Sequence, residues 1–405
     1  MDERLYYADS YLRTFEAEVI ERLDLNGQPA VVLNRSAFYP EGGGQPSDRG
    51  TLNQTPVIDV IERENDRAVL HILSAPLEAN HVTGAIDNTR RFDLMQQHTG
   101  QHILSEAFIK AADAWTVSFH LNPDPNEGAL TIDLNTTKLT PALIDRAEDF
   151  ANQIVWENRP VIARFVTNDE LAKLPLRRPP KVDGPIRIVE VQGFDWSACG
   201  GTHVARSGEV GLIKIIKVER RGNESRVEFR CGNRALIDYR RKHAMLSKVT
   251  ADLTIGYGEL DQAIGRFQAD AKALRKQLAE ADARLQQYEA QELSAAVEMH
   301  GEYGLIKHTW LNRDAAYLKR MAQLLTMRPK TVVLLGASGS ALSLVFARSK
   351  DLPLDLATLL KSTAAQLGGK GGGAPDFAQA GGPTVDEEQL TAVIKQAAEQ
   401  LSTKP

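Results

Sequence analysis

RRFDLMQQHTGQHILSEAFIKAA, residues 90–112, reads as one long helix, and inside it His98 and His102 stand four positions apart. That spacing puts both imidazoles on one helical face, one turn apart. Leu104, Phe108 and Ala111 form a neighbouring apolar stripe, which predicts a core-facing side. A second short pair follows much later in the chain: CGGTH, residues 199–203, offers Cys199 and His203. One thiolate with three imidazoles suits zinc and disfavours magnesium or calcium. Four protein ligands can close a structural site, whereas catalytic sites usually keep a position for water or substrate, so the ligand set alone leaves the role open. The zincin pattern H-E-x-x-H is not met, because Thr99 follows the first histidine.

Around this centre the chain is expected to be α+β. Residues 1–90 alternate as strands: FEAEVIER, an Asn26-Gly27 turn, then AVVLN; this predicts a small β-barrel or sandwich. Residues 91–240 hold the helix and the strand-like segments IRIVEV, EVGLIKIIKV and RVEFR, which predict a mixed zinc-containing core. In residues 241–300, Ile264, Phe267, Ala271, Leu274, Leu278, Ala281, Leu285 and Tyr288 recur in alternating steps of three and four. That heptad seam predicts a long helix that self-associates or docks on a neighbour. Residues 301–405 pair TVVLLGAS with ALSLVFARS as a hairpin, followed by a helix and the loop-like GGKGGGAPDFAQAGG.

Composition excludes several classes. At 405 residues, two or three domains are expected, and 42% hydrophobic with 25% charged residues is ordinary for a globular chain. MDERLYYADSYLR lacks the apolar core of a secretory signal. TVVLLGASGSALSLVFA, 17 residues broken by Gly and Ser, reads as two strands and not as a membrane span. Two cysteines, Cys199 and Cys231, exclude a disulfide framework and point to a reducing cytoplasm. The net charge of −5 hides two basic stretches: residues 214–242 and 305–380 each hold ten Lys/Arg against four Asp/Glu. Such clusters, not the total, neutralise phosphates.

Two glycine-rich segments remain. In RSAFYPEGGGQPSDRG, residues 35–50, Gly42, Gly43 and Gly44 let backbone approach a ligand and Gln45 can donate and accept; a tight turn between strands is the plainer reading. The C-terminal run is not a phosphate-binding P-loop, since Ala364 and Gly371 occupy the positions of its first glycine and its Ser/Thr. It remains a donor-rich segment centred on Lys370.

FYPEGGGQ, HTGQHIL and CGGTHV, in this order and spacing, resemble the signature motifs of the editing domain of alanyl-tRNA synthetases and of the free-standing AlaX proteins that share it. ERRGNESRVEF resembles the strand segment that follows, and LGGKGGGAPDFAQAGG is similar to the glycine-rich C-terminal domain of the same synthetases. The resemblance implies the long AlaX form: a zinc-dependent deacylase that hydrolyses wrong amino acids, principally serine with glycine as a second candidate, from alanine-specific tRNA, and does not charge tRNA. It carries the zinc ligands onto His98, His102, Cys199 and His203 and the substrate side onto Gly43, Gly44 and Gln45, with Ser36 where threonine is common in the synthetases. His120 is a further pocket candidate, with an ordinary strand histidine as the alternative. Arg348, Lys361, Gly369, Lys370 and Gly371 are the expected RNA contacts of the C-terminal domain, which is also expected to assist homodimerisation. No membrane partner is expected. The rival readings are a tRNA-binding module with a structural zinc and a general zinc esterase.

Overall fold

The computed structural model describes residues 3–124, 130–178 and 186–402, and divides into two units, Met1–Tyr257 and Gly258–Pro405. The first unit begins with a closed six-stranded barrel built from Thr14–Leu25, Gln28–Leu33, Val69–Leu73, Thr55–Glu62, Gly50–Leu52 and His81–Ile86, in that spatial order. Asn26 and Gly27 both adopt positive φ, which is what a two-residue hairpin turn requires. Inward-facing Phe15, Ala17, Val31, Leu33, Val60 and Val82 fill the barrel.

The helix Asn88–Ala112 leaves the barrel directly. Asp87 caps its first turn by accepting from the Arg90 amide at 3.1 Å, and Asp113 ends it in a left-handed conformation. It is buried on almost every side. One side meets the four-stranded sheet ordered Ile213–Arg221, Glu224–Cys231, Leu130–Leu134, Thr116–His120, through Ile103, Leu104, Phe108, Ile132 and Phe229. A three-stranded sheet, Val161–Val166, Ile186–Val191 and Asp195–Ala198, delivers the second ligand pair. IRIVEV and RVEFR are strands, as their β-branched content predicts, whereas EVGLIKIIKV becomes a strand only from Ile213, Glu209 and Val210 closing a 3-10 turn ahead of it.

One buried ion pair ties helix to barrel. The Arg91 guanidinium, 2% exposed, donates to both carboxylate oxygens of Asp48 and to the Ala37 carbonyl. Asp48 in turn accepts from the Tyr39 amide at 2.6 Å, so the glycine-rich turn is fixed relative to the histidine helix. A buried charge pair is tolerated because every partner is hydrogen-bonded.

The second unit opens with the 36-residue helix Leu260–Ala295. Its last turns dock within the unit, with Gln286 donating to the Tyr317 carbonyl at 2.9 Å and Ala290 in the core. The upstream seam residues Ile264, Phe267, Leu274, Leu278 and Leu285 are exposed. Six strands follow in the order Glu298–His300, Tyr303–Leu311, Thr331–Ser338, Leu342–Arg348, Phe377–Gly382, Lys370–Ala374, with helices Ala315–Leu325, Leu356–Gln366 and Glu387–Ser402. TVVLLGAS and ALSLVFARS form the expected antiparallel hairpin. The glycine run differs from its expectation as a loop: Lys370–Ala374 pairs antiparallel with Phe377–Gly382. The strand admits only glycine at Gly371, where an added methyl would lie 2.4 Å from the Ala380 side chain. Glycine has no strand propensity, so nothing in the residue pattern announces it.

Candidate metal centre

His98, His102, Cys199 and His203 converge, with their ligand atoms within 4.8 Å of one another. Cys199 Sγ lies 3.5 Å from His98 Nε2 and 3.3 Å from His203 Nε2, and the three imidazole centroids are 4.4 to 5.1 Å apart. The helix presents the first pair. The loop after the strand Asp195–Ala198 presents the second.

Each imidazole is oriented by a different neighbour acting on Nδ1. His98 donates to Gln45 Oε1 at 2.7 Å and His102 to Asp195 Oδ2 at 3.1 Å, while His203 Nδ1 shares a 3.1 Å hydrogen bond with Thr99 Oγ1. Protonation of all three Nδ1 atoms leaves every Nε2 lone pair turned toward Cys199. This is the tautomer a cation needs. Burial, reinforced by His98, depresses His203 to about 3, so its imidazole is neutral at neutral pH. Burial alone would raise the Cys199 thiol, but the imidazoles packed against it, His98 foremost, hold it well below the usual thiol range. A neutral imidazole beside a thiolate is the donor chemistry of a soft divalent site, and zinc fits the set.

The supporting residues are themselves fixed. The Gln45 carboxamide also accepts from the Thr202 amide at 3.0 Å and donates to Thr202 Oγ1 at 2.8 Å, leaving one further Nε2 hydrogen. Gly44, at φ +82°, lets the turn pass under Phe119, whose ring lies 5.7 Å from that of His98. Gly201 must lack a side chain, since a methyl there would stand 2.3 Å from the His98 ring. Asp195 is buried and bonded by Ser197, with Arg177 at 3.7 Å. Burial opposes its charge, yet Arg177 and His102 keep the carboxyl below its ordinary value.

Other residues singled out in the sequence take the following places. The Ser36 hydroxyl is buried, 2.7 Å from His71 Nε2, and accepts from the Phe38 amide. Gly43 sits in the turn closed by reciprocal Gly42–Gln45 backbone bonds. His120 is exposed, while its strand neighbour Phe119 faces His98, as the two-residue alternation of a strand dictates. In the second unit, Lys361 and Lys370 are exposed, and Lys361 Cε lies 3.3 Å from where a Gly372 methyl would stand. Arg348 spends its guanidinium on the Leu354 and Ser349 carbonyls, and Gly369 and Gly371 are backbone elements of the glycine strand and its entry. Asp195, Thr202 and Arg91 escaped the sequence reading. Asp195 precedes Cys199 by four positions, a signal visible only once the strand that begins at Asp195 and leads into the Cys199 loop is known.

Comparison with known proteins agrees with this geometry. Residues 186–228, which carry Cys199 and His203, match the family model for the threonyl and alanyl tRNA synthetase second additional domain, and residues 307–403 match the DHHA1 domain. The segment that carries Cys199 and His203 is thus similar to a synthetase additional domain. Alanyl-tRNA editing protein AlaX-L of Pyrococcus horikoshii is 31% identical over 94% of both chains. The chain belongs to the alanyl-tRNA editing protein family. It is also 31% identical to the alanine–tRNA ligase of Methanothrix thermoacetophila, spanning 43% of that enzyme, and 34% identical over 61% of its length to alanyl-tRNA editing protein Aarsd1-A of Xenopus laevis. Among the described residues no helix is long and apolar enough to cross a membrane.

Proposed function

We propose that this chain is a trans-editing deacylase: it hydrolyses the ester between a wrong amino acid, principally serine, and the terminal ribose of alanine-specific tRNA. Water adds to the ester carbonyl, the carbon–oxygen bond to the ribose breaks, and the ribose hydroxyl leaves with a proton. The observation that carries this reading is the convergence of His98, His102, Cys199 and His203 in a chain that matches an editing protein over 94% of its length.

The four residues would hold zinc, which supplies Lewis-acid charge at the reacting carbonyl. Gln45, Asp195 and Thr99 keep the imidazoles in the required tautomer, so no reorganisation is needed when substrate arrives. Cys199 is the ligand that keeps partial solvent access, which makes its side the entrance.

Selectivity has one physical solution. Alanine is smaller than serine and fits wherever serine fits, so size cannot spare the correct ester. A group that hydrogen-bonds the serine hydroxyl can, and such sites discriminate by about four to five orders of magnitude. In this reading the remaining Nε2 hydrogen of Gln45 meets that hydroxyl, and Ser36 exchanges one of its internal bonds for it. Exposed Lys361 and Lys370 at the glycine hairpin would grip the RNA backbone.

Incubating the protein with seryl- and alanyl-esters of alanine-specific tRNA tests the reading. Rapid loss of the seryl ester alone, abolished by His98→Ala, supports it. Equal turnover of a free seryl ester would instead favour a general esterase.

A further inference from the structure

Cys199 marks the accessible edge of the cluster, since the three histidines are buried. The loop that follows is clamped by Arg187, whose Nη1 donates to the Cys199 carbonyl at 3.0 Å and to the Gly201 carbonyl at 2.8 Å. The Arg187 guanidinium lies 5.4 Å from the centroid of the Tyr7 ring. Tyr7 also reaches the loop itself, because a methyl on Gly200 would stand 3.6 Å from its hydroxyl. Phe165 meets Tyr7 edge-on, centroids 5.6 Å apart at 84°.

Phe165 is unlike the other rings near the cluster. It lies on the strand Val161–Val166, the edge of its sheet, and is 51% exposed. Phe119, by contrast, is packed against His98 and the hydrophobic core. Neither Tyr7 nor Phe165 belongs to a core cluster among the described residues. A continuous path of contact therefore runs from a metal ligand, through a buried arginine, to an open aromatic face.

We propose that Phe165, backed edge-on by Tyr7, is the platform on which the terminal nucleobase of the acylated RNA stacks. The inference rests on the editing reading and extends it. The scissile ester and the terminal base share one ribose, so with the ester at the cluster the base must come to rest on a surface one sugar away. An aromatic face suits it, because every base has a π-face and stacking tolerates sequence. Arg187, by holding both Tyr7 and the Cys199 loop, sets the distance between base and ester.

The test uses full-length protein loaded with zinc and the seryl ester of alanine-specific tRNA, with Phe165→Ala, Phe165→Leu and Phe165→Trp. Alanine and leucine are expected to raise KM about tenfold with kcat unchanged, and tryptophan to restore it. Uncharged tRNA carrying 2-aminopurine as its last base is expected to lose fluorescence on binding wild type and not on binding Phe165→Ala. An unchanged KM and equal quenching for Phe165→Ala, in a wild type that deacylates, overturns the platform alone. Leucine as good as phenylalanine overturns stacking, since apolar area would then suffice. A wild type that does not deacylate defeats the editing reading and the platform with it.

Discussion

Asp195 accepts the Nδ1 hydrogen of His102 at 3.1 Å, and it is the carboxylate among the three groups that orient the cluster histidines. Gln45 and Thr99 are neutral, so Asp195 alone both aims its imidazole and offsets the charge of a bound cation. Asp195→Asn keeps an acceptor and removes the charge, whereas Asp195→Ala removes both. We expect metal affinity, measured by competition with a chromophoric chelator, to fall about 10–100-fold in the alanine variant and less in the asparagine variant. Equal affinities in all three proteins would show that the contact is incidental.

Gly201→Ala should dismantle the site while leaving the fold. The added methyl would lie 2.3 Å from the His98 ring and 2.7 Å from Gln45 Oε1, two groups locked to each other by a 2.7 Å hydrogen bond. Gly43→Ala is the control: it meets nothing within 4 Å and pays only for its φ of +55°, about 1 kcal/mol. Metal stoichiometry should drop in the first and stay at one in the second. Retained metal in Gly201→Ala would mean that the loop can yield.

Asp133 accepts from Arg226 at 2.7 Å through both oxygens and is 6% exposed, and the Arg226 hydrogen bonds hold its carboxyl below the ordinary value of 3.8. Because the folded value is depressed, the unfolded chain takes up the proton first as pH falls. The contribution is complete well above pH 4 and fades as pH falls through the folded value. Asp133→Asn should therefore cost about 1.5–3 kcal/mol in urea unfolding at pH 7, and the difference from wild type should shrink below about pH 4. A pH-independent difference would point to packing.

The long helix Leu260–Ala295 leaves Leu274 and Leu278 more than 60% exposed on one stripe with Ile264, Phe267 and Leu285. A heptad stripe in water favours a second copy of itself. Sedimentation of the full chain is expected to give a dimer, and Leu274→Glu with Leu278→Glu a monomer. A wild-type monomer would leave the stripe without a homotypic role.

Much of this architecture was legible because periodicity follows burial. The barrel strands alternate, and the hairpin 331–348 carries unbroken β-branched and apolar runs. The histidine helix was legible through its i, i+4 pair, although its burial on nearly every side weakens any single apolar stripe. What sequence hides is long-range or backbone-driven. The glycine strand 370–374 carries side chains only at its two ends, too few to show an alternation. Asp195 and Thr202 acquire meaning only when residues 195–203 meet the helix at His102 and the glycine-rich turn at Gln45. Arg187, an ordinary strand arginine in sequence, is revealed as a clamp only by the two carbonyls it reaches.

If the four converging ligands hold a cation, ester hydrolysis should depend on it. Single-turnover deacylation of serine-acylated alanine tRNA, run on the same preparation with metal bound, stripped by chelator and reloaded with zinc, tests it most directly. The rate is expected to collapse on stripping, to return in proportion to zinc bound and to stay absent in Cys199→Ala. Metal-free protein that cleaves as fast as the loaded form would contradict that dependence.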